Sequence, residues 1–153
     1  MDKKMFYEEL TFLDKPLADA NSFFEFIFPV LEEKGFVNAS FLDAIKERES
    51  KYPTALPVDP PIALPHTDIE HIKKPFISVT RVAGTVPWAE MANNDHILNA
   101  KFVFLLGFLD KNGHVDLLQS LTGAFSNADF MDKLSRVSTP KECVELLEAT
   151  VEL

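Results

Sequence analysis

Cysteine is almost absent: Cys143 stands alone, so no internal disulfide can form. No basic, apolar, small-residue leader opens the chain, and a reducing cytoplasm is the expected setting. Long hydrophobic runs are missing as well. The longest, Phe102 to Leu109, falls far short of the ~20 residues that span a bilayer, so no direct membrane insertion is expected. Basic side chains number 15 against 24 acidic ones, for a net charge of -9. With no local Lys/Arg cluster to offset it, that balance repels a phosphate backbone and excludes nucleic acid as a partner. No Walker glycine loop, dinucleotide fingerprint or Gly-x-Ser-x-Gly elbow occurs, which argues against nucleotide-dependent kinase and esterase chemistry. His66 and His71 do not have the i,i+4 spacing of a helical metal site, and no Cys or Glu-rich motif accompanies them, so neither a metal nor a cofactor is indicated. Cys143 has no neighbouring base and reads as an inert, partly buried thiol.

What is present is enough apolar material for a core. Hydrophobic residues make up 46% of the chain and fourteen of them are Phe, which excludes a disordered chain. At this length one domain over residues 1–153 is expected, burying roughly two thirds of its unfolded surface.

The pattern of elements alternates. Leu10 to Leu13 is short and β-prone. Leu17 to Lys34 has Phe23, Phe24, Ile27 and Leu31 at helical spacing, with Gly35 placed for a left-handed cap and a kink expected at Pro29. Ser40-Phe41-Leu42-Asp43 matches a capping box and opens a helix running to about Ser50. Four prolines between Lys51 and Pro61 predict a structured loop, followed by a buried strand at Ile62-Ala63-Leu64. Phe76 to Val82 and Phe102 to Leu109 read as strands, the second covered on both faces at the sheet centre. Helices are predicted from about His114, over Ala128 to Arg136, and over Lys141 to Val151. Strands interleaved with helices give an α/β fold, a single-domain sandwich with a mixed β-sheet flanked by helices.

Three residues stand out chemically. His66 follows a buried strand and Pro65, at the lip of a sheet where a side chain is rigid yet accessible. A neutral imidazole is a competent nucleophile there, and the alternative is an ordinary loop histidine. His114 lies at a helix start, where unsatisfied N–H groups favour an anion; otherwise it merely borders the helix. Arg48 continues the stripe of Phe41 and Ile45, so its guanidinium turns inward, toward an anion or toward the last carbonyls of its own helix. His71 and His96 read as surface residues.

Arg48-Glu49, Tyr52-Pro53-Thr54, Ile62-Ala63-Leu64-Pro65-His66-Thr67-Asp68 and His114-Val115-Asp116-Leu117-Leu118, in that order, give the chain from about Asp14 onward a pattern that resembles enzyme IIA of the fructose and mannitol type in the bacterial phosphotransferase system, with the galactitol-like branch closest. The resemblance implies a phosphoryl carrier for uptake of a polyol such as galactitol. His66 would be phosphorylated by the histidine-containing phosphocarrier protein and would pass the group to a cysteine of enzyme IIB. It further implies that Arg48 and Thr54 bind phosphate and that His114 is the second active-site histidine. Where the family commonly has Gly after the threonine, Ala55 stands here. A regulatory domain of the same family and a non-catalytic anion-binding module are the rival readings. Leu56, Val58, Ile62 and Ile69 are the expected apolar rim for docking partners.

Overall fold

The computed structural model describes residues 4–110 and 113–151, with only the backbone described at 113 and 114. The elements run β1 (Phe6–Lys15), α1 (Ala20–Glu33), α2 (Phe41–Lys51), β2 (Ala55–Leu56), β3 (Ile62–Ala63), β4 (Phe76–Glu90), β5 (Asn93–Gly107), α3 (Gly113–Phe125), α4 (Ala128–Arg136) and α5 (Pro140–Thr150). A single 3-10 turn, Ile69–His71, lies between β3 and β4.

An antiparallel hairpin of β4 and β5 is the frame of the sheet, and β1 joins it parallel to β4. β3 lies parallel to β5, so β5 is paired on both sides, as its unbroken apolar run requires. β2 pairs antiparallel with β3 and touches β4 at Ala55 and Glu90. Mixed pairing of this kind, with helices on both faces, is the expected α/β sandwich.

Two cores sit on opposite faces of the sheet because successive strand residues point to opposite sides. On β5, Phe102, Phe104 and Leu106 join α3, α4 and α5 in one core, while Val103 and Leu105 join α1 and α2 in the other. The Phe-rich composition has a geometric outcome here: Phe23 and Phe24 of α1 meet Trp88 edge to face at 6.0 and 5.7 Å.

Several boundaries differ from expectation. The strand expected over Phe76 to Val82 continues to Glu90, and β5 begins nine residues before Phe102. Their outer ends carry exposed polar residues such as Asn93 to His96, held by ladder pairing and by buried Val86 and Trp88 further in. The proline-rich loop contains β2, whose Ala55 is fully buried. Ser40 begins α2 without a side-chain cap; its Oγ bonds His71 Nδ1 at 2.8 Å instead. That contact also corrects the surface assignment of His71, whose side chain is 18% exposed. His96 is exposed as expected and bonds Glu90. α1 runs through Pro29 to Glu33, with exposed Pro29 unable to donate a backbone hydrogen bond, and Gly35 takes the left-handed φ of 81° that ends the helix. α4 has the boundaries expected of it, and α5 starts one residue early because Pro140 fits a first helical position behind the Thr139 cap. Cys143 is fully buried, and burial pushes its thiol up to about 11, which suits an inert core residue.

Candidate active site

His66 is placed by its backbone. β3 follows β5 in register, with Ile62 opposite Phe102 and Ala63 opposite Val103. Past the strand, the Leu64 N–H donates to Thr54, the Pro65 carbonyl accepts from Leu106 N–H at 3.0 Å, and a last bridge joins His66 to Leu106. The imidazole therefore leaves the sheet from a backbone pinned on both sides. Nδ1 lies 2.9 Å from the Leu64 carbonyl oxygen. A carbonyl can only accept, so Nδ1 carries the proton, and the lone pair of the neutral ring is on Nε2. The ring packs edge-on against buried Phe108 at 6.1 Å.

A cavity of about 630 Å³ opens beside this ring, lined by Arg48, Thr67, Asp68, Ile69, Glu70 and Phe108 in addition to His66. Arg48 arrives from the last turn of α2. Its guanidinium is 5.8 Å from the Tyr52 ring centre, and Nη1 is 3.6 Å from Asp68 Oδ1. Its Nε is buried and has no hydrogen-bond partner among the described residues. Rather than turning to the carbonyls of its own helix, the guanidinium faces Asp68 and the cavity, and the Lys51 carbonyl at the helix end accepts from Asn94 Nδ2 at 3.4 Å.

Thr54 sits behind the site and is not brought together with His66 and Arg48. It is 4% exposed and does not line the cavity. Its N–H donates to Glu49 Oε2 at 2.7 Å and its hydroxyl to Oε1 at 2.9 Å. Both donors are thus committed to a carboxylate, which leaves Thr54 a brace for the loop behind His66. Trp88 Nε1 adds a third bond to Glu49 at 3.0 Å. Burial pushes the Glu49 carboxyl up to about 7, against the opposing pull of Thr54, Trp88 and Arg48. Glu49 was not singled out from sequence, since its partners come from β4 and from the residue before β2.

His114 is the second residue of α3, at the helix start expected for it; its side chain lies outside the described residues. Of the expected docking rim, Ile62 is fully buried and so cannot contribute, while Leu56, Val58 and Ile69 are partly buried against the core. Among the described residues there is no group of three or more His, Cys, Asp or Glu that could hold a metal, and no helix long and apolar enough to cross a membrane.

An imidazole with a fixed tautomer and a guanidinium, facing one open cavity at the edge of a mixed sheet, define an α/β domain suited to holding an anion against a nucleophilic ring. The family described as phosphoenolpyruvate-dependent sugar phosphotransferase system, EIIA 2, matches residues 4–150, and the chain belongs to it. It is therefore a phosphotransferase component. The chain is 31% identical over 144 residues to the mannitol-specific EIICBA component of Pasteurella multocida, covering 93% of this chain and 22% of that protein. It spans about a fifth of the length of the curated relatives it matches. Among solved structures it resembles the complex of mannitol enzyme IIA with phosphorylated mannitol enzyme IIB from Escherichia coli, with a TM-score of 0.74, 25% identity, and coverage of 92% and 95% of the two chains. The fold is also that of the nitrogen regulatory protein IIA-Ntr from Neisseria meningitidis, with a TM-score of 0.77, 22% identity, and coverage of 94% and 96%.

Proposed function

We propose that His66 accepts a phosphoryl group on Nε2 from the histidine-containing phosphocarrier protein and passes it to a cysteine of enzyme IIB. Arg48 and the start of α3 at His114 hold the phosphate oxygens. The observation that carries this reading is the 2.9 Å contact from His66 Nδ1 to the Leu64 carbonyl, which fixes the tautomer with the proton on Nδ1, in a cavity shared with Arg48.

Phosphoryl transfer needs an in-line nucleophile and neutralisation of charge on the equatorial oxygens, and little else from the protein. The P–N bond of the donor's phosphohistidine breaks as the P–Nε2 bond forms, and the electron pair returns to the donor ring. Nδ1 keeps its proton, so the phosphorylated ring is cationic and the Leu64 carbonyl stabilises it. A cationic ring is a good leaving group for the onward step, in which the acceptor thiolate takes the phosphorus and the electron pair goes back to Nε2. The donor already carries activated phosphate, so the step calls on no nucleotide or metal.

The domain would work in the cytoplasm within a transport system for a polyol, galactitol being the branch-level reading. The fold likeness to IIA-Ntr supports a second reading, a regulatory domain that takes up phosphate on the same histidine.

Incubation with phosphoenolpyruvate, enzyme I and the phosphocarrier tests the chemistry. Acid-labile, alkali-stable phosphate should appear on the protein and vanish in His66→Ala. Retained labelling in that variant rules out the assignment, and no labelling of the parent protein leaves only a non-catalytic anion-binding role.

A further inference from the structure

We propose that Asp68 occupies the Arg48 guanidinium in place of phosphate and competes with it, so that the phosphorylated form is held less tightly and surrenders its phosphoryl group more readily. This rests on reading His66 as the phosphorylated residue and Arg48 as its anion partner.

Three observations carry it. Asp68 is two residues beyond His66 and lines the same cavity. Its Oδ1 approaches Arg48 Nη1 at 3.6 Å, longer than a charge-assisted hydrogen bond, with the two side chains 69% and 37% exposed. A pair this open and this long is weakly held, and a better-fitting anion can replace it. The buried Arg48 Nε, without a hydrogen-bond partner among the described residues, shows that Asp68 does not complete the guanidinium's bonding. A phosphoryl group offers three acceptor oxygens where this contact uses one carboxylate oxygen.

Exchange of partners then follows from charge. When the P–Nε2 bond forms, the phosphate oxygens take Arg48 and Asp68 is displaced toward solvent beside a dianion, with Glu70 as a second carboxylate on the same rim. Both effects make the phosphorylated state less favourable than Arg48 alone would allow. Transfer in either direction is still balanced as above; Asp68 changes the equilibrium constant and forms no bond to phosphorus. It is a positioning residue acting through Arg48, whereas Glu70 acts by its field alone, its Oε1 lying 3.6 Å from His71 Nε2.

The test brings the full chain to equilibrium with the phosphorylated phosphocarrier, without enzyme IIB, and measures phosphorylated against unphosphorylated protein on both partners. Asp68→Asn should raise the equilibrium constant for phosphorylation of His66 by roughly 1.5- to 5-fold, the scale set by an exposed ion pair. Asp68→Glu should stay near the parent value, and Glu70→Gln should shift it by less than Asp68→Asn. An Asp68→Asn value at or below the parent's overturns the proposal, as does a Glu70→Gln shift that matches it. If the parent protein labels at His66 and Asp68→Asn is unchanged, only the role of Asp68 falls. If the parent protein does not label, the reading of His66 falls first.

Discussion

Glu49 holds its proton more tightly than a glutamate in water, because burial penalises its charge by more than Thr54, Trp88 and Arg48 recover. Its carboxyl is raised from 4.5 to about 7, so the folded chain binds a proton that the unfolded chain releases. The stability this contributes is complete below about pH 4.5 and is lost as pH rises through about 7. Urea unfolding at pH 5.5 and pH 8 should show the parent protein losing more stability across that interval than Glu49→Gln. Trp88, the one tryptophan, donates to the same carboxylate, so its fluorescence should titrate with a midpoint near 7 in the parent and stay flat in Glu49→Gln. A flat parent curve would show that Glu49 does not titrate in this range. At this scale the sequence was only partly legible. His66 and Arg48 stand out as candidates because each sits at a boundary or on a stripe that local spacing defines. Glu49 could not, because its environment is assembled from residues five and thirty-nine positions away.

Arg81 shows how one side chain ties elements together. Buried on β4, it donates through Nη1 to the Val137 carbonyl at 2.7 Å and to Leu134 and Ser135 at the end of α4, and pairs through Nε and Nη2 with Asp14 at the end of β1. The last carbonyls of a helix need such donors when they are buried. Arg81→Met should leave them unpaired and cost about 1.5–3 kcal/mol, the range for hydrogen bonds to a charged group; a denaturation midpoint equal to the parent's would refute the bracing role. Helices were the legible elements, because α4 and α5 carry both an apolar stripe and an N-cap, Asn127 and Thr139. The hairpin was half legible. Its inner half alternates or is wholly apolar, whereas the stretch around its turn, Met91 to His96, is exposed and mostly polar and resembles a loop in sequence. β2 was hidden by its surroundings, two residues of strand between Pro53 and Pro57 whose pairing with β3 is a tertiary event. The Ser40 capping box had the right position and the wrong bond, since His71 from a distant turn took the hydroxyl.

Across the whole molecule, the cavity draws on the end of α2, the exit of β3, the 3-10 turn that follows it and the end of β5. The sheet fixes the separations, so a rigid site is obtained from segments that are far apart in sequence. The α/β sandwich was legible because interleaved strands and helices leave few ways to bury an apolar strand on both faces. The gathering of Arg48 and His66 into one cavity was expected from the resemblance to family members, whereas the contact of Asp68 with Arg48 is visible only in the fold. On the proposed reading this frame keeps the proton on Nδ1 of His66 and directs the phosphoryl group to Nε2. Phosphorylating the chain enzymatically with its histidine rings labelled in ¹⁵N, then recording nitrogen–phosphorus couplings, tests it most directly. Phosphorus should couple to Nε2 of His66; coupling to Nδ1, or phosphate on any other residue, would overturn the assignment.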